Sequence, residues 1–266
     1  MPTVHRAAPR TTRNSEPSRP APKTEAAPRA WGPRPATLSP SEKKLISGLV
    51  DRAVATPDLV HRGHLRAGLQ AMPSTARAAA LETALDAVRA QLPCSDDTIR
   101  ENLSTVLKQL TAERGVPAEA SKRTAHALFR DALAHGDLAT SLDTLATGGF
   151  TATRSELKTL TRQLDAVGSD ANTLLQSRDH VTNLSRTLLQ VLAPSPASLE
   201  RFAKNLDSPE VLFGEAIVNR DVAFDRPLAG LVSVLTPRQA EAMARRKGTG
   251  FPELSAALTA RAKETR

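Results

Sequence analysis

Apolar residues recur at three- and four-residue spacing from residue 39 to the C-terminal end of the chain. In the first such stretch the apolar positions are Leu45, Ile46, Leu49, Val50, Ala53 and Val54. This spacing places apolar side chains on one face of a helix. The pattern continues along the chain and predicts further helices over 57–71, 81–92, 99–110, 125–133, 137–146, 153–167, 170–192, 196–206, 209–219, 227–235, 237–247 and 252–264.

Ser/Thr-Pro pairs precede many of these stretches and predict where helices begin. In Ser39-Pro40-Ser41-Glu42, the serine can cap the helix, the proline fits the first helical position, and the glutamate completes a capping box. Related starts occur at Thr56-Pro57, Ser195-Pro196, Ser208-Pro209 and Thr236-Pro237. The chain therefore carries the local signals of a helical protein.

Strand signals are few. Only 149–153 and 222–234 have strand-like composition, and Pro227 disfavours a central strand in the second. No clean repeat of 30–45 residues indicates a solenoid. We therefore predict an all-α fold, an irregular multi-helix bundle over 39–266, in which Pro194-Ser195-Pro196 favours a joint between two subdomains near 194–196.

The first 38 residues have a different composition. They contain eight prolines and few aliphatic side chains larger than alanine. Such a segment buries too little apolar area to offset the entropy of ordering it, and repeated prolines oppose helix. We predict that 1–38 is a disordered, Pro/Arg/Ser-rich tail.

The net charge of +8 is concentrated at the two ends of the chain. Residues 1–40 carry +5 and residues 238–266 carry +4, whereas residues 41–237 sum to −1. The predicted helical body is thus near neutral, and a nucleic-acid partner for the whole surface is disfavoured. No uncharged apolar run reaches the ~18 residues of a membrane span, so no transmembrane segment is expected.

Cys94 is the one cysteine of the chain, so it forms no internal disulfide. It lies just before a predicted helix start, where the helix dipole favours a thiolate, although Asp96 and Asp97 next to it oppose one. A catalytic cysteine also needs a base, and His126, His135 and His180 are the candidates. Two interpretations stay open: Cys94 is a small buried apolar residue, or it is a nucleophile.

Asp58, His61 and His64 follow one another at steps of three on a predicted helix, the nearest approach to a metal site in the chain. The chain lacks a His-Glu-x-x-His motif and the glycine-rich motifs of nucleotide sites. We therefore expect no metal and no cofactor, and regard these residues as packed or solvated.

Trp31 and the cluster Arg245, Arg246, Lys247 are the candidate interaction residues. Trp31 is the one tryptophan and lies in the predicted tail, where it either folds back onto the body or anchors a partner. Cations before Gly248 are typical of a helix C-terminus, and nuclear localisation or phosphate contact is the alternative interpretation.

The N-terminal 40 residues resemble the N-terminal region of type III secreted effectors of proteobacteria. Residues 1–15 contain no acid, and Ser, Thr, Pro and Arg dominate in Thr11-Thr12-Arg13-Asn14-Ser15 and Ser18-Arg19-Pro20. The resemblance is one of composition and covers the tail alone. It implies secretion into a host cell, a role in virulence, and a secretion chaperone as a partner.

Three functions remain at this stage. The preferred one is a secreted effector that binds a host protein through a helical surface, with the question of an enzymatic activity left open. The second is a regulatory or nucleic-acid-binding protein of the bacterial cytoplasm that uses its basic termini. The third is an enzyme of unrecognised type with Cys94 as nucleophile.

Overall fold

The computed structural model describes residues 37–56, 59–176, 181–246 and 250–264, all within the unit Pro35–Arg266. Most of the predicted tail, with Trp31, lies outside the described residues. Every regular element in the described ranges is helical, which confirms the all-α multi-helix fold. No described helix has the length and apolar character needed to cross a bilayer.

Fourteen α-helices and three short 3₁₀ turns make up the described regular structure. The α-helices are α1 (Pro40–Ala55), α2 (Leu59–Ala71), α3 (Ser74–Ala90), α4 (Asp97–Thr111), α5 (Ala118–His135), α6 (Leu138–Thr147), α7 (Arg154–Ala166), α8 (Ala171–Gln176), α9 (Val181–Leu192), α10 (Pro196–Lys204), α11 (Val211–Val218), α12 (Asp225–Leu231), α13 (Pro237–Arg246) and α14 (Pro252–Lys263).

Reciprocal capping boxes start three of these helices. In α1 the Glu42 amide donates to Ser39 Oγ at 3.3 Å, and the Ser39 amide donates to the Glu42 carboxylate at 2.7 Å. The hydrogen bonds from Ser39, its hydroxyl first and then its amide, lower the pKa of Glu42. Thr153 with Glu156 and Thr236 with Gln239 repeat the arrangement. The predicted starts at Ser39 and Thr236 are therefore confirmed.

Other predicted boundaries differ from the structure. The predicted helix over 170–192 is seen as α8 and α9, and residues 177–180 between them lie outside the described part of the chain. After Ser208-Pro209 the chain makes a tight turn, so α11 begins only at Val211. The predicted start at Ser195-Pro196 is confirmed, since α10 begins at Pro196 with Ser195 in the N-cap position, but the Ser195 hydroxyl is paired with Ser198 Oγ at 2.8 Å and makes no capping bond to the helix backbone.

The buried apolar residues form two clusters that meet inside α5. The first cluster draws on α1 to α5 and ends at Leu128, and the second begins at Phe129 and extends to α14. Phe150 packs against both clusters. Leu192 and Leu199, on either side of the predicted joint near 194–196, belong to the same cluster. Two subdomains with a joint there stay a prediction.

Two glycines shape the junction between the clusters. Gly136 ends α5 in the left-handed conformation, with φ of 75°, which glycine adopts without strain. A Cβ on Gly148 would lie 2.7 Å from Ala125 Cβ and 2.6 Å from the Thr144 carbonyl oxygen. The chain after α6 therefore passes α5 at a distance that only glycine allows.

Candidate interaction surface

A groove of about 520 Å³ opens among α10, α12 and α14. Its floor is apolar and includes Leu199 and Leu231 together with Pro196, Pro227 and Ala229. Glycine at 230 has no heavy atom within 4 Å of the position that a Cβ would take. We call this cleft the C-terminal groove. Its size and apolar lining are those of sites that take small molecules or side chains of a partner.

Three charged residues line the groove with the apolar floor: Glu200, Arg226 and Glu253. Glu200 pairs with Lys204 at 2.7 Å on α10. The side chains of Arg226 and Glu253 make no hydrogen bond or ion pair with any residue that the structure describes. An apolar floor beside unpaired charges of both signs suits a polypeptide partner better than an apolar ligand.

Local sequence explains how this groove is built. Pro196 and Pro252 occupy first-turn positions of α10 and α14, where a missing N–H costs nothing. The Asp225 carboxylate, at the start of α12, accepts hydrogen bonds from the amides of Glu253 at 3.1 Å and Leu254 at 2.8 Å. Asp225 therefore caps α14 from a neighbouring helix and fixes two walls of the groove.

Cys94 is buried, with 8% of its surface exposed, and its contacts are with backbone and carboxylate groups. Its amide donates to the Asp131 carboxylate at 3.2 and 3.3 Å, and its thiol donates to the Asp96 carbonyl at 3.4 Å. The imidazole of His126 instead contacts Glu156, and that of His135 the Asp131 carbonyl, while His180 lies outside the described residues. These contacts supply no base to the thiol, and a nucleophilic Cys94 stays a prediction.

Arg100 is the group that orders the surroundings of Cys94. Its guanidinium is completely buried and donates to the Cys94 carbonyl at 2.6 Å. It also donates to the carboxylates of Asp97 at 2.6 Å, Asp131 at 3.2 Å and Asp137 at 3.3 Å. We call these four charged side chains the Arg100 network. It ties the segment before α4 to α4, α5 and the start of α6.

The charge balance of this network favours the ionised guanidinium. Burial on its own lowers the pKa of Arg100, but hydrogen bonds to Asp97, Asp131 and Asp137 outweigh burial and raise that pKa above its ordinary value. The guanidinium lies between the three carboxylates, so its positive charge neutralises part of their negative charge. The arrangement is a structural tie between helices.

Two of the three predicted metal candidates, His61 and His64, lie within the described residues. His61 and His64 lie on α2 with ring centroids 6.1 Å apart, edge to face, and Asp58 lies outside the described residues. Within the described ranges no three His, Cys, Asp or Glu side chains come together to hold a metal ion. The same helix borders a second, more open hollow of about 400 Å³ against α4, where Arg66 pairs with Glu113 at 3.2 Å.

The predicted basic interaction cluster is only partly described. Arg245 is exposed on α13 and forms an ion pair with Glu241 at 2.8 Å, so its charge is in part offset locally. The side chain of Arg246 and all of Lys247 lie outside the described residues, as does Trp31. Their roles stay predictions.

Neither the C-terminal groove nor the Arg100 network was predicted from the sequence. The three helices of the groove each start near a proline, and this shared feature was the one local signal for it. Arg100 had a weaker signal, an aspartate three residues before it on α4. No protein-family model matches the chain, and no curated protein or solved structure is significantly similar to it.

Proposed function

We propose that the chain is a bacterial effector, delivered by a type III secretion system into a host cell, where it binds a host protein through its helical surface. The C-terminal groove is the observation that carries the binding part of this proposal. It combines a volume of about 520 Å³, an apolar floor and the unpaired charges of Arg226 and Glu253. Short side chains of a partner fill the apolar floor, and the charged groups of the partner pair with Arg226 and Glu253.

The delivery part of the proposal rests on the N-terminal composition. Residues 1–15 contain no acid and are rich in Ser, Thr, Pro and Arg, as in secreted effectors. The test fuses residues 1–50 to a reporter enzyme and measures its type III-dependent entry into host cells. Entry that depends on the secretion system is expected, and absence of entry would remove the basis for delivery.

The binding part is tested by filling the groove. In Gly230→Phe, an aromatic side chain projects into the open space over the groove, so cross-linking of the full chain to its host partner should fall by roughly tenfold or more. Gly48→Phe on α1 is the matched control, since that position also has no heavy atom within 4 Å. Equal cross-linking by wild type and Gly230→Phe would show that the groove is not the binding surface.

A further inference from the structure

Three cations stand in a row on the exposed face of α7. Arg154, Lys158 and Arg162 are each exposed and follow at four-residue steps. None of the three makes a hydrogen bond or ion pair with a residue that the structure describes. At 1.5 Å per residue the row is about 12 Å long, and it turns through about 80° around the helix. We call these residues the α7 basic row.

The acids of the same helix are already occupied elsewhere. Glu156 points towards α5, where it lies 3.0 Å from His126 Nε2 and 3.5 Å from Arg130 Nε. Asp165 accepts a hydrogen bond from Ser198 at 3.0 Å, and Arg201 Nη1 lies 3.4 Å from its second oxygen, without hydrogen-bond geometry. No acid of α7 is thus left to neutralise the row.

The neighbours of the row on α7 are small. Ser155, Thr159 and Ala166 are exposed beside it and have short side chains. A second helix can therefore approach α7 closely, at the 8–10 Å typical of packed helices. The exposed face of α7 carries no aromatic side chain on which a nucleic-acid base could stack.

The charge of the body also argues for a protein partner. Residues 41–237 sum to −1, so the row is a local feature and does not belong to a broad positive surface of the kind that nucleic acids need. Two α-helices share the same rise per residue, so acids at every fourth position of a partner helix match the row step for step. An arginine at each end can take a carboxylate in a two-point contact.

We propose that the α7 basic row docks an acidic helix of the host partner, one that presents carboxylates at positions i, i+4 and i+8. This inference rests on the proposed function, because it specifies the chemistry of the protein that the effector binds. The partner helix crosses α7 at about −50°, the angle at which rows of side chains four residues apart on two helices lie along one another.

The test titrates the isotope-labelled full chain with two synthetic helical peptides and follows backbone NMR shifts. One peptide carries glutamates at i, i+4 and i+8, and the other has the same composition with the glutamates spread around the helix. The first should shift the amides of 154–162 and bind roughly tenfold more tightly than the second. Exposed ion pairs bind weakly, and NMR shifts detect weak complexes, so this binding is measurable.

Charge reversal supplies the matched comparison. The variant R154E/K158E/R162E should lose binding of the first peptide by roughly tenfold or more. The control K44E/R114E/R238E changes net charge by the same amount at three exposed cations that also lack described partners, and it should bind like the wild type. Circular dichroism of both variants checks that the helices are retained.

Three outcomes overturn the inference: no shifts at 154–162, equal loss in both triple variants, or equal binding of both peptides. Tighter binding of a DNA duplex than of the peptide, lost with the row, would assign the row to nucleic acid. Cross-linking in host lysate distinguishes a failure of this inference from a failure of the proposed function. If wild type and R154E/K158E/R162E capture the same host protein, the row is not the docking site but the proposed function stands. If neither captures one, the proposed function fails.

Discussion

At the residue scale, Arg100 carries a full charge at a position with no solvent contact. Close to it in sequence, Asp96 caps α4 by accepting from the Ile99 amide at 3.0 Å. The network itself was not predictable, because Asp131 and Asp137 come from positions 31 and 37 residues further along the chain. Local patterns reveal caps, whereas long-range charge pairing depends on how the helices pack.

Replacing Arg100 by methionine should destabilise the protein by about 3–5 kcal/mol. The substitution keeps an apolar chain of similar length but leaves the buried Asp131 carboxylate without its guanidinium partner. Urea unfolding followed by circular dichroism measures the change. Arg89→Met is the control, because Arg89 pairs with Asp86 at the surface and its loss should cost about 1 kcal/mol or less. Similar losses in both variants would contradict a structural role for the network.

At the scale of elements, helix starts were the most predictable feature. Ser39 with Glu42 forms the expected capping box, and the helix start predicted at Thr236 has a box with Gln239. The C-terminal groove was not predictable, since it requires three helices separated in sequence to meet around Gly230. The capping box of α7 has a local part and a long-range part, because Glu156 caps α7 and also contacts His126 on α5.

Glu156 should make stability depend on pH. Burial raises the pKa of Glu156, but hydrogen bonds from Thr153 and His126 outweigh burial and lower that pKa below its ordinary value. The ionised Glu156 therefore contributes fully to the free energy of unfolding above about pH 4.3, the ordinary pKa of glutamate. This contribution is lost as the pH falls through the lower pKa of the folded state. Glu156→Gln should cost roughly 1 kcal/mol at neutral pH and progressively less in acid, as measured by urea unfolding across pH.

Glu42→Gln is the matched control for this prediction. Glu42 caps α1 in the same way but makes no contact with a second helix among its described hydrogen bonds, so its replacement should change stability less. A loss in Glu156→Gln that stays constant, or grows, as the solution is acidified would refute the assignment.

At the scale of the whole molecule, the sequence predicted the all-α class because helical periodicity extends over most of the chain. The division of the core was not predictable from the sequence. Leu128 and Phe129 are neighbours on α5 but belong to different clusters, because consecutive positions on a helix point in different directions.

Since α5 supplies walls to both clusters, the two should unfold together. Cys94 belongs to the first cluster and is the one thiol of the chain, so its reactivity reports on that half. Labelling of Cys94 in increasing urea should follow the same transition as the loss of helicity measured by circular dichroism. In a control with Leu45→Cys and Cys94→Ala, the thiol at an exposed position should react at every urea concentration. Labelling of Cys94 well before helicity is lost would show that the halves unfold separately.

The shared helix also decides how the protein tolerates being cut. A fragment that ends after α5 retains the first cluster but exposes Phe129 and Leu133, and a fragment that begins after α5 lacks both of these walls. Either fragment exposes an apolar surface that leads to aggregation or non-specific binding. Deletion series, the usual first step in mapping a binding region, would therefore confuse lost folding with lost recognition. Substitutions at exposed positions of the intact chain are the safer way to map its contacts.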